Sequence, residues 1–359
     1  MKVGIVTLNG NHNYGNRLQL YACATIYEHL GYTPIALIPQ AGFYTNDLAE
    51  RACKRHIKHL LGRHDAPDVE TLGNPERLSR FERFSALVPS QTVDSNSIMA
   101  LKNEIDIFSV GSDQVWNPQC NRYLEDWYYL QFADPQQRIA LAPSIGLDEL
   151  NKKQSKRLFR GVRGFDYPSV REKRGAELIK ECSGVEPEVI CDPTLALRTD
   201  EWRSIAGNEL TPDVPYVLSY LLGGENDVSK DVLEQVTDRG QLPVIALTDR
   251  DKPGEVPAGP AEFIGLIDHA KHVVTDSFHA AVFSCLMQTP LTIVRRGGEG
   301  SGMFSRLETL AETLGIEEKI YGSDAFDMTK ASCYTGVTTR IEGQREHFLT
   351  YLNSRLGRC

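Results

Sequence analysis

The sequence predicts an α/β fold made of two units of parallel sheet. Three observations carry that prediction. Residues 2–38 read strand, helix, strand, and residues 272–294 repeat the pattern. From 195 to 213 the chain reads as a linker, and a fresh strand run begins at Tyr216. With 359 residues, 41% of them hydrophobic, the chain can build two cores. The expected division is 1–205 and 206–359, with a last helix that returns to the first unit.

Lys2–Leu8 is rich in Val and Ile and opens the first sheet. Asn9–Asn16 is a polar loop, and Leu18–Leu30 carries apolar residues at helical spacing, ending before Gly31. Thr33–Ile38 is the second strand. Residues 40–100 hold basic helical pieces at Arg51–Leu61 and Arg77–Phe84. The basic run at 51–63 reads as a solvated helix face or as an attractor for an anionic acceptor or membrane surface. Strands follow at Ile105–Val110, Ile139–Ala142, Asp166–Val170 and Val189–Cys191, with helices at Asn151–Gly161 and Lys173–Cys182. The second unit runs through Tyr216–Leu221, Val228–Arg239, Pro243–Leu247 and Glu262–Ala270. Val273–Thr275 is a β-branched strand, and Ala280–Met287 an apolar helix that Thr289-Pro290 ends. Leu291–Val294, Phe304–Leu314 and Arg340–Leu356 complete the chain.

The composition excludes several function classes. A net charge of −9 gives no footprint for nucleic acid. No apolar run reaches a membrane-spanning length, and the N-terminus enters a strand without a secretory leader. The eight cysteines form no C-x-x-C pair, and no zinc spacing or H-E-x-x-H occurs. The reading is a cytoplasmic protein with reduced thiols, at most peripheral at a membrane, and with no metal or cofactor. The first turn, N-H-N-Y-G-N-R, is not the dinucleotide fingerprint G-x-G-x-x-G.

Polar residues cluster where strands meet helices, which is where open α/β sheets bind ligands. Asp276, Ser277 and His279 occupy one such junction. A helix N-terminus there favours an anion, and an imidazole titrates near neutrality. The same residues read equally as a helix cap and a satisfied surface histidine. Asn13, Gly15 and Asn16 present donors to a phosphate or sugar, or else permit left-handed turns. After the strand at 105–110, Asp113 is a base or a sugar-binding group, and Trp116 a stacking platform. Arg171-Glu172 ends another strand. Asp192 reads as a cap or turn residue before Pro193.

Six segments in this order resemble the polysaccharide pyruvyltransferase family. They are Asn-Tyr-Gly-Asn at 13–16, Gly-Ser-Asp-Gln-Val-Trp-Asn at 111–117 and Ser-Val-Arg-Glu at 169–172. Cys-Asp-Pro-Thr-Leu at 191–195, Thr-Asp-Ser-Phe-His-Ala at 275–280 and Phe-Ser-Arg-Leu at 304–307 complete the set. The resemblance spans about residues 1–315. It implies two Rossmann-like domains in a glycosyltransferase-B-like arrangement, with the active site in the cleft between them. It implies transfer of the pyruvyl group of phosphoenolpyruvate to two hydroxyls of a sugar, leaving a ketal and releasing phosphate. The family's histidine maps onto His279. Where many members have Arg two residues earlier, this chain has Ser277, leaving Arg171, Arg295 or Arg306 to supply the charge.

That chemistry assigns candidate roles. Phosphoenolpyruvate carries two anionic groups, which call for arginine forks or helix N-termini. Arg171 is the first candidate, although it reads equally as an ordinary ion-pairing residue. His279 is the candidate acid or phosphate stabiliser, and Asp113 and Glu172 are candidate bases. The partners expected are phosphoenolpyruvate and a sugar acceptor, lipid-linked carriers included. Two rivals remain. A nucleotide-sugar glycosyltransferase of the same architecture often shows E-x7-E, and the match here is Glu201–Glu209 in the linker. A non-catalytic module that senses a phosphorylated metabolite is the other. Turnover is expected to survive a chelator; loss of activity restored by one divalent ion would overturn that expectation.

Overall fold

Parallel strands organise both halves of the chain, and their C-terminal ends carry the polar turns. The computed structural model describes residues 1–8, 13–40, 74–119, 125–248, 256–296 and 304–357. The expected basic helix at 51–61 and the loop residues 249–255 lie outside them. The first half contains β1 (Lys2–Val6), α1 (Tyr14–His29), β2 (Thr33–Pro39), α2 (Pro75–Ser85), β3 (Ser90–Val93), α3 (Ser95–Leu101), β4 (Ile107–Val110), α4 (Glu125–Tyr128) and β5 (Arg138–Ala140). It continues through α5 (Lys152–Val162), β6 (Ser169–Val170), α6 (Lys173–Ser183), β7 (Glu188–Val189), α7 (Pro193–Ala196) and α8 (Thr199–Ser204). The second half contains β8 (Val217–Tyr220), α9 (Asp227–Val236), β9 (Val244–Leu247), α10 (Pro260–Asp268), β10 (His272–Thr275), α11 (Phe278–Met287), β11 (Leu291–Ile293), α12 (Ser305–Leu314) and α13 (Val337–Arg355).

The first sheet has the order β3-β2-β1-β4-β5, the second β11-β10-β8-β9, and β6 pairs with β7. Every one of these pairings is parallel. This is the α/β architecture of parallel sheets that was expected. Both larger sheets reverse their direction of growth once, between β1 and β4 and between β8 and β10. Such switch points open crevices at the carboxyl ends of the strands. Asp113 follows β4 and His279 follows β10, so each crevice receives candidate residues.

Several expectations need correction. The helix expected from Leu18 begins at Tyr14, because Asn13 accepts a hydrogen bond from the Asn16 backbone N–H and caps it. β3 and α3 fall where no strand or helix pattern was read. The stretch read as linker contains α8, and its Trp202 is fully buried, edge-on to Phe283 at 4.9 Å. A solvated linker would not bury an indole.

One hydrophobic cluster joins the two halves. Tyr14 of α1 stacks on Phe263 of α10 at 4.6 Å and meets Tyr220 of β8 edge-on at 5.4 Å. Beside it, Arg80 of α2 pairs with the buried Glu262 of α10 at 2.6 Å. Helix α13 returns to the first half. Arg345 donates to the carbonyls of Ala196 and Leu197 at 2.9 Å, and Tyr351 donates to that of Ala140 at 2.8 Å. Among the described residues no helix is long and apolar enough to cross a membrane.

His272 of β10 is buried 2.9 Å from Thr292 Oγ1. Burial, reinforced by Lys319, brings its pKa down to about 4. The unfolded chain therefore takes up this proton first as pH falls below about 6.5. Stability attributable to His272 should be lost progressively from about pH 6.5 down to 4, amounting to about 3 kcal/mol. The check is urea unfolding at a series of pH values. His272→Gln should show a shallower acid limb, and an identical limb would refute the assignment.

Candidate functional site

The sequence of α11 explains where its first turn points. All ten residues from Phe278 to Met287 are buried, so the helix is enclosed on every side. Ser277 caps it by accepting from the Ala280 backbone N–H, and the Ser277 N–H in turn donates to Thr275 Oγ1. With the helix so anchored, His279 faces the first half rather than solvent. It is itself buried, contrary to the expectation of an exposed edge residue.

Opposite lies a set of ionic side chains from the ends of β4, β6 and β7. Arg171 donates to Asp192 Oδ2 at 2.7 Å and to Asp113 Oδ1 at 3.2 Å. Its guanidinium also lies 4.3 Å from the centre of the Phe278 ring. Asp113 holds a left-handed backbone conformation, φ 62°, one that Asp tolerates better than most side chains. Its second oxygen accepts from Asn16 Nδ2 at 3.1 Å. Behind these groups, Gln19 ties the turn together. It accepts from the Ser112 N–H at 2.8 Å and donates to Thr7 Oγ1 at 2.7 Å.

His279 Nε2 is 3.8 Å from Asp192 Oδ2 and has no hydrogen-bond partner. The ring packs directly on Gly15. A Cβ at that position would lie 2.0 Å from Nδ1. The glycine of the N-Y-G-N turn is therefore required for close approach across the two halves. Gly15 lies within α1, so the left-handed turn considered from sequence is not its function.

The charges act on one another. Burial is the leading effect on His279 and, with Arg171 and Arg306, holds its pKa below the usual value; Asp192 and Asp113 oppose them. Burial also raises the Asp192 carboxyl, but Arg171 and His279, with bonds from Ser112 and Thr194, bring it down to about 2. Asp113 is likewise lowered, because Arg171, His279 and Arg306 outweigh its burial. Burial, with Arg171 nearby, brings Arg306 of α12 down to about 10. A cavity of about 30 Å³ lies between Arg171, Asp192, Phe278 and Arg306.

Other candidates have structural surroundings. Trp116 is buried against Tyr129 and Phe165, and its indole N–H donates to the Tyr128 carbonyl at 3.0 Å. It offers no exposed face to a sugar. Arg295 is on the surface, paired with Glu308 at 2.9 Å and lying over Phe304. Its neighbour Arg296, which the sequence reading passed over, is the half-buried one. Asp276 holds it at 3.1 Å and also accepts from the Leu222 and Gly223 N–H groups. Glu172 is buried; Oε1 accepts from the Ile145 and Gly146 N–H groups, whereas Oε2 has no partner. Asp192 and Ser112 were also not singled out as site residues. The signal was available: Asp192 follows β7 as Arg171 follows β6 and Asp113 follows β4. Among the described residues, no group of three or more His, Cys, Asp or Glu side chains is placed to hold a metal ion.

Residues 13–297 match the profile of a family described as polysaccharide pyruvyl transferase. No curated protein matches the chain. Among solved structures, the UDP-GlcNAc 2-epimerase of Methanocaldococcus jannaschii is 13% identical at a TM-score of 0.49, over 99% of this chain and 100% of that one. The UDP-GlcNAc 2-epimerase of Neisseria meningitidis is 11% identical at 0.47, over 97% and 94%. The wall teichoic acid polymerase TagF, as its H444N variant, is 12% identical at 0.45, over 97% and 83%.

Because a Cβ at Gly15 overlaps the His279 ring, Gly15→Ala should force one of the two halves to give. The expected cost is about 1–3 kcal/mol of stability, the usual range for overpacking. Chemical denaturation of the variant beside the parent checks this. A variant as stable as the parent would show that the ring moves aside freely.

Proposed function

Since the chain belongs to the polysaccharide pyruvyl transferase family, we propose that it transfers the pyruvyl group of phosphoenolpyruvate to two hydroxyls of one sugar. That sugar belongs to a cell-surface or exopolysaccharide precursor. On this reading residues 1–205 take the acceptor and residues 206–359 carry the histidine. The observation that carries the proposal is the buried meeting of Arg171, at a strand end of the first half, with His279 and Arg306, each in the first turn of a helix of the second half. Three such groups suit a small ligand with a phosphate and a carboxylate.

At C2 the reaction breaks two bonds, the π bond to the methylene carbon and the bond to the phosphate oxygen, and forms two, to the sugar oxygens. The two hydroxyls together release two protons. One ends on the methylene carbon, which becomes a methyl group, and the other on the departing phosphate. His279 fits the proton donor. Its lowered pKa leaves it neutral in the free protein, and a bound phosphate dianion raises its proton affinity at the moment of need. Arg171 and Arg306 supply fixed positive charge where the phosphate leaves. Of the two candidate bases, Asp113 has both oxygens in hydrogen bonds, whereas Glu172 Oε2 has a lone pair to spare. The base role is assigned to Glu172.

The glycosyltransferase alternative loses its sequence support. Glu201 accepts from the Arg198 N–H at 2.7 Å, and Glu209 pairs with Arg80 at 3.1 Å. Both are accounted for as structural contacts.

Incubation with phosphoenolpyruvate and candidate sugar acceptors, read by mass spectrometry, should show the added ketal and equimolar phosphate. His279→Gln should lower turnover by about 10²–10⁴-fold while phosphoenolpyruvate still binds. A variant within about threefold of the parent would remove His279 from the chemistry. Transfer from a nucleotide sugar, with phosphoenolpyruvate inert, would overturn the whole reading.

A further inference from the structure

Asp192 was expected to serve a turn, and one of its oxygens does. Oδ1 accepts from the Thr194 N–H at 3.0 Å and from the Thr194 hydroxyl at 2.7 Å. The cap has no use for the second oxygen. Oδ2 accepts from Ser112 Oγ and from Arg171 Nη1, both at 2.7 Å, and stands 3.8 Å from His279 Nε2. It thus sits between an arginine of its own half and the histidine of the other. His279 Nε2 is buried without a partner, whereas Nδ1 is not among the buried unpartnered atoms; the ring itself fills the space that a side chain at Gly15 would take.

We propose that Asp192 is the positioning residue of His279: it orients the imidazole through Nε2 and leaves Nδ1 to meet the substrate. The 3.8 Å separation exceeds a hydrogen bond but lies within ion-pair reach, and such contacts shorten when the partner is charged or the substrate is bound. One carboxylate fixing one ring nitrogen while the other works is the division of labour of catalytic triads. The sharing of Oδ2 with Arg171 adds a consequence. The residue assigned to the donor anion and the residue assigned to its proton are aligned by one atom. The inference rests on the role given to His279 above. The groups that bear on the ring are Asp192, Asp113, Arg171 and Arg306. Of the two carboxylates, Asp192 acts on it more strongly.

The test uses the full-length protein with ¹³C,¹⁵N-labelled histidine. The chain has nine histidines, and the His279 signal is identified by its loss in His279→Gln. In the parent, the neutral ring should carry its proton on Nε2, read from the imidazole ¹⁵N shifts; a proton on Nδ1 would overturn the proposal without any variant of Asp192. In Asp192→Asn the titration midpoint should fall by about one pH unit. Thr194→Val, which strips the cap side of the same carboxylate, should leave that midpoint in place. A folded Asp192→Asn protein with an unmoved midpoint, or an equal shift in Thr194→Val, would assign Asp192 to structure alone. Where phosphoenolpyruvate is turned over, Asp192→Asn should lower kcat by about 10- to 100-fold, a part of the full acid contribution. Its alkaline limb should move down in pH with the midpoint. Absence of turnover in the parent would refute the donor assignment instead, because the two spectroscopic readouts do not depend on it.

Discussion

Arg171 links two buried carboxylates, and the polar centre of the molecule is built on it. Its guanidinium joins Asp113, at the end of β4, to Asp192, at the end of β7, with essentially no exposure to water. Removing one partner from such a chain strands a buried charge and costs about 3–5 kcal/mol. Replacing the whole chain with apolar groups would cost much less. The arrangement therefore makes sense as a device for holding charge in a defined place. Much of the hydrogen-bonding capacity around it is met locally, although Arg171 Nε has no partner. Asn16 takes one Asp113 oxygen, Ser112 and Thr194 take those of Asp192, and Phe278 covers the face of the guanidinium.

The two halves meet over this chain, and their packing is not interchangeable with a loose hinge. Tyr14 carries the N-terminus of α1 into an aromatic cluster made mostly by the second half, with Phe263 and Tyr220. The next residue, Gly15, lets the His279 ring lie against the helix backbone. A two-residue step thus joins stability to chemistry: the tyrosine anchors, and the glycine leaves space. Helix α13 closes the chain over the first half from the opposite direction through Arg345 and Tyr351. Exposed ion pairs such as Arg295–Glu308 add little by comparison, since solvent screens them.

Much of this was legible in the sequence because it is local. The β-branched runs, the glycine and proline stops and the residues at strand ends act over a few positions, so the parallel α/β class could be read directly. The strand-end rule also located Asp113, Arg171, Glu172 and His279. Where the reading failed, a distant partner had decided the outcome. Trp116 looked like a platform because its turn is polar, but Tyr129 and Phe165 bury it. Residues 195–213 looked like a linker because they are polar and short in pattern, yet Trp202 is held by Phe283 from the other half.

By itself, then, the sequence determined which side chains stand at the ends of which strands, and through the order of its motifs, which family they belong to. That follows from periodicity and turn chemistry, which operate between neighbours. Only the tertiary structure decided which of those side chains meet. Arg295 and Arg296 are adjacent in sequence, but one faces solvent and the other is held by Asp276. Asp192 reads as a cap until β7 and α11 are brought together and its second oxygen is found beside His279. Charges interact through space and burial multiplies that interaction, so which carboxylate serves which cation is settled by packing between segments far apart in the chain.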